Sequence, residues 1–200
     1  MKCTASLLVG LLACGACLAQ PAAPRPDTPQ RSGLPWVRPG EGATVRNAAN
    51  MGDADRNFIA AAAQSGMSEV ALAQLAAQRA RNPRVREYAR QLVLDHQAAN
   101  KRLQHIAAVK GLKLPDGPAR DQQADLRDLQ KVSARDFDQH FLDRMVQDHQ
   151  KAVDLFGHEI KGRHQDADLK NFAQDTLIVL ERHYGQAQRL RKNSGHMPGG

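Results

Sequence analysis

The sequence predicts an all-α domain, a four-helix bundle built from two helical hairpins with a short crossover helix between them. Three observations carry that expectation. Aromatic residues make up only 4% of the chain, while Ala, Leu, Gln and Arg are abundant and strand formers are sparse. Apolar residues recur at alternating spacings of three and four along four long stretches. The segment Leu92-Val93-Leu94-Asp95-His96-Gln97 returns as Met145-Val146-Gln147-Asp148-His149-Gln150, the echo expected of two hairpins related by duplication. With 200 residues, 42% apolar and 24% charged, the chain suits one hydrophobic core plus tails.

Taken in order, Lys2 precedes an apolar run from Leu7 to Leu18 that closes on the small-x-small triplet Cys17-Leu18-Ala19. Residues 1–19 therefore read as a secretory signal peptide, too short for a transmembrane helix. A second reading takes Leu11-Leu12-Ala13-Cys14 as a lipobox-like tetrad, which would leave the mature chain anchored by lipid at Cys14. Either way the expected location is periplasmic or secreted. Cys3, Cys14 and Cys17 are the only cysteines, so cleavage after Ala19 leaves no thiol for disulfides, metal ligation or nucleophilic catalysis.

Residues 20–52 carry Pro21, Pro24, Pro26, Pro29, Pro35 and Pro39 and read as a disordered tether, because they hold too little apolar surface to offset the entropy of ordering. Trp36, the single tryptophan, falls within it. The bundle is expected over residues 53–190. Its first helix should span Asp55 to Arg81, and Asn82-Pro83 supplies an N-cap and an N1 proline for a second helix reaching Lys110. Gly111 then stops the chain, and Leu114-Pro115-Asp116-Gly117-Pro118 breaks it. A crossover helix follows over Ala119 to Lys131. Ser133 is expected to cap a helix ending at Lys161, and Asp166 to open a last one ending near Leu190. Residues 191–200 read as a disordered tail.

The formal charge is +7, yet basic residues alternate with acids along the helices, and no groove-binding motif or aromatic stacking platform accompanies them. Nucleic acid is therefore not an expected partner. Export leaves anionic lipid or cell wall, at the envelope or membrane surface, as the charged partner the composition allows. Hydrolase and nucleotide-binding readings lack their motifs: there is no Ser/His/Asp order on a strand-turn-helix, no phosphate-cradling glycine loop and no Cys pair.

Candidate chemistry lies in the apolar seams. In the second helix His96 interrupts Val85, Ala89, Leu92, Ala99, Leu103 and Ile106. His149 sits likewise among Leu142, Met145, Ala152 and Phe156, and His183 among Leu169, Ala173, Thr176, Leu180, Ala187 and Leu190. Glu69 holds the same place in the first helix, among Ile59, Ala62, Gly66, Ala73 and Ala76. Glu69 lies about 13 residues before the Asn82 turn and His96 about 14 after it; His149 and His183 lie roughly 16 and 18 residues from the turn near Gln165, so within each hairpin the two levels agree to ~3 Å. All four are expected to meet at mid-bundle. Asp95 and Asp148 flank the layer, rotated by ~100° from the adjacent histidines.

A buried carboxylate among imidazoles must be paired or coordinated. Three His and one Glu suit Fe, Zn, Mn or Cu, with Asp95 and Asp148 as further ligands or as acceptors that fix the imidazoles. The alternative is a hydrogen-bonded polar layer that sets bundle register without metal, in a non-enzymatic envelope or stress-related interaction module. His105, His140, His158, His164 and His196 follow no seam and should face solvent. Gly66 should allow close helix approach, and Phe137, Phe141 and Phe156 should be core.

Several motifs, namely Phe58-Ile59, Gln64-Ser65-Gly66-Met67-Ser68-Glu69-Val70, Asn82-Pro83, Asp95-His96, Gly111 to Pro115, Phe137-Asp138, Asp148-His149 and His183, together resemble the bacterial envelope family called domain of unknown function 4142. The resemblance covers residues 53–190 and implies a ferritin-like four-helix bundle in an exported protein, with no established activity. Ferritin-like di-iron proteins use a Glu from each of two helices and Glu-x-x-His from the other two. Here Val93, Val146 and Leu180 stand three residues before the histidines. A histidine-rich mononuclear site, or a bundle that keeps only its polar layer, fits this pattern better than an iron oxidase or storage site.

Overall fold

Asp53 and Asp55 place negative charge in the first turn of α1 (Asp53–Arg79), where the exposed backbone N–H groups favour it. Four further helices follow in the computed structural model, which describes residues 51–162 and 166–194: α2 (Pro83–Val109), α3 (Arg120–Lys131), α4 (Phe137–Lys161) and α5 (Ala167–Ser194). The signal peptide, the lipobox tetrad, Trp36, His164 and His196 lie outside the described residues. α1 pairs with α2 and α4 with α5; α1 also lies beside α4, and α2 beside α5. The result is a four-helix bundle of two hairpins, with α3 crossing outside against α1 and α4.

The turns are held by identifiable bonds. Asn82 accepts from the Arg84 N–H at 2.9 Å and Pro83 occupies the first helical position, as the sequence indicates. Asp138 of α4 reaches across and accepts from the Arg81 and Asn82 N–H groups at 2.9 and 2.7 Å, tying the first hairpin to the second. α2 ends in a full Schellman motif: Gly111 has φ +67°, Leu112 N–H bonds to Ala107 O and Gly111 N–H to Ala108 O. Arg79 donates to the carbonyls of Gln130 and Val132 at 2.7 and 2.6 Å, so a side chain of α1 closes the C-terminus of α3.

Several boundaries differ from the sequence-based expectation, beginning with α1, which runs Asp53–Arg79 instead of Asp55 to Arg81. Ser133 does not cap α4; it bonds to Asp136 and holds a turn, and the helix starts at Phe137. α5 continues through Ser194, because nothing before that residue breaks the helical ladder. Met51, at the expected end of the tether, is buried in the core, and its carbonyl accepts from Arg56 at 3.1 Å.

Two apolar clusters fill the bundle. One, nearest the α1–α2 turn, contains Leu72, Ala76, Val85, Leu92, Phe137, Phe141 and Met145. The other contains Phe58, Ile59, Leu103, Phe156, Phe172 and Leu180. Along every long helix the boundary falls at the same place: at Glu69, His96, His149 and His183. A polar layer therefore divides the core at mid-height. Gly66 sits beside that boundary, and a Cβ there would meet the end of the Asn100 side chain of α2, which would have to turn aside. His105, His140 and His158 are exposed as expected, and no described helix is long and apolar enough to cross a membrane.

Candidate metal centre

Each residue of the layer comes from a different long helix, and each points inward because it occupies a seam position between apolar neighbours. Glu69 is 2% exposed, His96 6%, and His149 and His183 are fully buried. The three imidazole rings form a near-equilateral triangle, with centroids 5.6, 5.4 and 5.3 Å apart. One nitrogen from each ring lies within 4.8 Å of the others. The four residues singled out from the seams are thus brought together at one depth.

The outer nitrogens reveal how the inner ones are set. Nδ1 of His149 is 2.9 Å from the Met145 carbonyl, which can only accept, so Nδ1 carries the proton and Nε2 is left with a lone pair. Nε2 of His183 is 2.8 Å from Oδ2 of Asp95, which leaves Nδ1 of that ring free in the same way. Those two free nitrogens and Oε1 of Glu69 are buried without a hydrogen-bond partner among the described residues. Oε2 of Glu69 is 2.6 Å from His96 Nε2, so the two form a close buried pair, and 3.7 Å from His149 Nε2.

The electrostatics follow from burial and proximity. Burial alone would raise Glu69, but the neighbouring imidazoles, His96 first, hold it well below the usual carboxylate range. Burial would lower His96, and Glu69 beside it holds it above its ordinary value instead. His149 is lowered by burial against the pull of Glu69. His183 is pushed down to about 4, burial outweighing the bond from Asp95. Two of the three rings are therefore neutral donors at pH 7, facing one ionised carboxylate.

Asp95 and Asp148 stand outside the cluster of ring nitrogens. Asp95 binds the outward face of His183 and is itself held by Arg182 at 2.9 Å and Gln91 at 2.9 Å. Asp148 lies 3.6 Å from Arg144, which also binds Asp125 of α3 at 2.6 Å. Burial raises Asp148 to about 6 against the pull of Arg144. The sequence signal separates neither role, since both aspartates precede a seam histidine by one residue.

Sequence reasoning missed a second buried polar group at the end of the bundle away from the α1–α2 turn. Lys110 is 1% exposed and its ammonium lies 2.7 Å from Asp166 and 2.8 Å from Asp168, linking the end of α2 to the start of α5. Glu159 is buried nearby and raised to about 7 by burial, then by the charges of Asp55 and Asp166. Asp166 also caps α5 as expected, accepting from the Asp168 N–H at 3.0 Å.

The model of the domain of unknown function DUF4142 matches residues 41–190. The chain belongs to the DUF4142 family. No curated protein matches it. Among solved structures, this DUF4142 chain is similar to the crystal structure of a DUF305 fragment from Deinococcus radiodurans, with a TM-score of 0.62 at 15% identity, covering 73% of this chain and 98% of that one. At that identity the likeness speaks for the fold: the helical arrangement is shared, and the DUF4142 layer has to be judged on its own side chains.

Proposed function

We propose that this protein binds a first-row transition metal ion at mid-bundle through His96, His149 and His183, with Glu69 as the fourth donor. The observation that carries the reading is the set of inward atoms without partners. Buried polar atoms are nearly always hydrogen-bonded, and an unpaired one costs about 1–3 kcal/mol. Here His149 Nε2, His183 Nδ1 and Glu69 Oε1 share that condition in one place, while His96 Nε2 and Glu69 Oε2, 2.6 Å apart, have only each other. A cation held by the three rings, with Glu69 beside it, would give these atoms the partner they lack.

The outer bonds fit the same reading. A ligating imidazole characteristically donates its other N–H to a carboxylate or a backbone carbonyl, which fixes both tautomer and ring orientation. Asp95 does this for His183 and Met145 O for His149. Asp95 is accordingly an orienting group and Asp148 a flanking charge. Nitrogen and carboxylate donors without a thiolate are compatible with Fe, Zn, Mn or Cu. An amino-terminal signal peptide would put this metal chemistry in the periplasm or outside the cell.

The second reading is a structural polar layer in an envelope or stress-related interaction module. The short Glu69–His96 contact favours it, since a proton shared there compensates one charge. Thermal unfolding of tag-free, chelator-treated protein separates the two. At a metal concentration 100 times the dissociation constant, binding to the folded state alone adds about 2.7 kcal/mol of stability. A melting temperature that rises with Zn, Mn, Fe or Cu and returns on chelation supports a metal centre; identical melting under all conditions supports the structural layer.

A further inference from the structure

The polar layer is not closed on every side. A cavity of about 20 Å³ lies against Glu69 and His96, roughly the space one water molecule needs. His149 and His183 do not line it. Its inner wall is apolar, with Ala62, Leu103, Phe156 and Phe172 all buried. Its outer edge is different in kind: Ser65, Asn100 and Thr176 also line it, and each is half-exposed. Polar residues therefore lead inward from the surface between α1, α2 and α5, and the space ends on one candidate ligand from α1 and one from α2.

We propose that an ion held by this layer keeps one coordination position turned toward the cavity, for a single exchangeable ligand of one to three atoms. The proposal rests on the metal reading above. Four protein donors fill a tetrahedral site, but a reactive zinc can expand to five donors and Mn or Fe takes up to six, so the four of this layer leave room for an exchangeable one. Two of the imidazoles cannot swing round to fill such a position, because their outer nitrogens are bonded to Asp95 and to Met145 O. The side facing the cavity has only solvent-sized space beyond Glu69 and His96. Pockets for ordinary organic substrates run to about 300 Å³ or more, so the exchangeable ligand is restricted to water, a small anion or a diatomic molecule. The ring of apolar side chains behind it excludes bulk water and leaves Glu69 as the ionised group nearest to whatever enters.

Co(II) and azide make the test concrete. The tag-free full chain is loaded with Co(II) and titrated with azide while the visible Co(II) bands are followed. A saturable change in those bands is expected. Ala99→Leu places a larger side chain at the half-exposed edge of the cavity without touching a donor, and should weaken azide binding by about tenfold or more while Co(II) affinity stays within about twofold. Thr176→Leu approaches the same edge from α5 and serves if the first variant does not fold. Co(II) that binds but ignores azide overturns the open position and leaves the metal reading standing. Edge variants that fold, bind Co(II) and take azide as the wild type does overturn the cavity as its seat. A chain that binds no Co(II) overturns both.

Discussion

Nε2 of His183 lies 2.8 Å from Oδ2 of Asp95, so a carboxylate of α2 fixes which nitrogen of an α5 histidine faces the bundle interior. The contact has a consequence that can be measured. Asn at position 95 can present its amide N–H to Nε2, which moves the ring proton to Nδ1 and blocks the inward lone pair. Asp95→Asn is therefore expected to lower metal affinity by about 10–100-fold, as loss of an orienting partner does elsewhere. Titration of the variant with metal checks this, and unchanged affinity would remove Asp95 from the site.

Glu69 is the one carboxylate set among three buried rings, and it balances the raised His96. Removing one member of a buried pair leaves the other without compensation. Glu69→Ala is expected to destabilise the chelator-treated protein by about 3 kcal/mol in urea unfolding. A change within about 0.5 kcal/mol, as for an ordinary surface position, would contradict the pairing.

At the other end of the bundle, Lys110 joins α2 to α5 through Asp166 and Asp168. Lys110→Met keeps much of the volume and strands Asp166, whose side chain is 1% exposed. The expected loss is about 3 kcal/mol, read again by urea unfolding. Asp166→Asn in the Lys110→Met background should restore part of it, because the buried acid is then neutral.

Glu159 gives the fold a pH dependence of definite sign. Its carboxyl is raised from 4.5 to about 7, so between those values the folded chain holds a proton that the unfolded chain has released. The stability it contributes is complete below about 4.5 and is lost as pH rises through about 7. Glu159→Gln should match the wild type near the lower value and exceed it by about 1 kcal/mol above the upper one. Denaturation midpoints compared across that range test it; a variant curve parallel to the wild type would refute the raised carboxyl.

Much of the layer was legible in the sequence because two periodicities intersect there. The three-four spacing of apolar residues fixes the inward faces of the long helices, and distances counted from the Asn82 turn and from Gln165 fix height. Together they place Glu69, His96, His149 and His183 in one plane, and the core is divided at those positions. Rotation finer than a seam position is not encoded in spacing, so Asp95 and Asp148 looked equivalent. Only the packed structure gives Asp95 an imidazole and Asp148 an arginine. The burial of Lys110, Glu159 and Asp166 was not legible for a related reason. Charged residues at helix ends read as solvated, and the partners that bury them come from other helices. Ser133 shows the local version of the problem, since a serine before a helical run caps either the helix or, as here, the turn ahead of it.

Metal stoichiometry of the tag-free full chain, measured by calorimetric titration beside His149→Ala, bears most directly on the centre. His149 has its outer nitrogen fixed by Met145 O and its inner one aimed at the layer. The wild type is expected to take up one equivalent of a first-row metal ion, and the variant to lose affinity by about a hundredfold or more. No uptake by the wild type, or equal uptake by the variant, would contradict the assignment of these histidines as ligands.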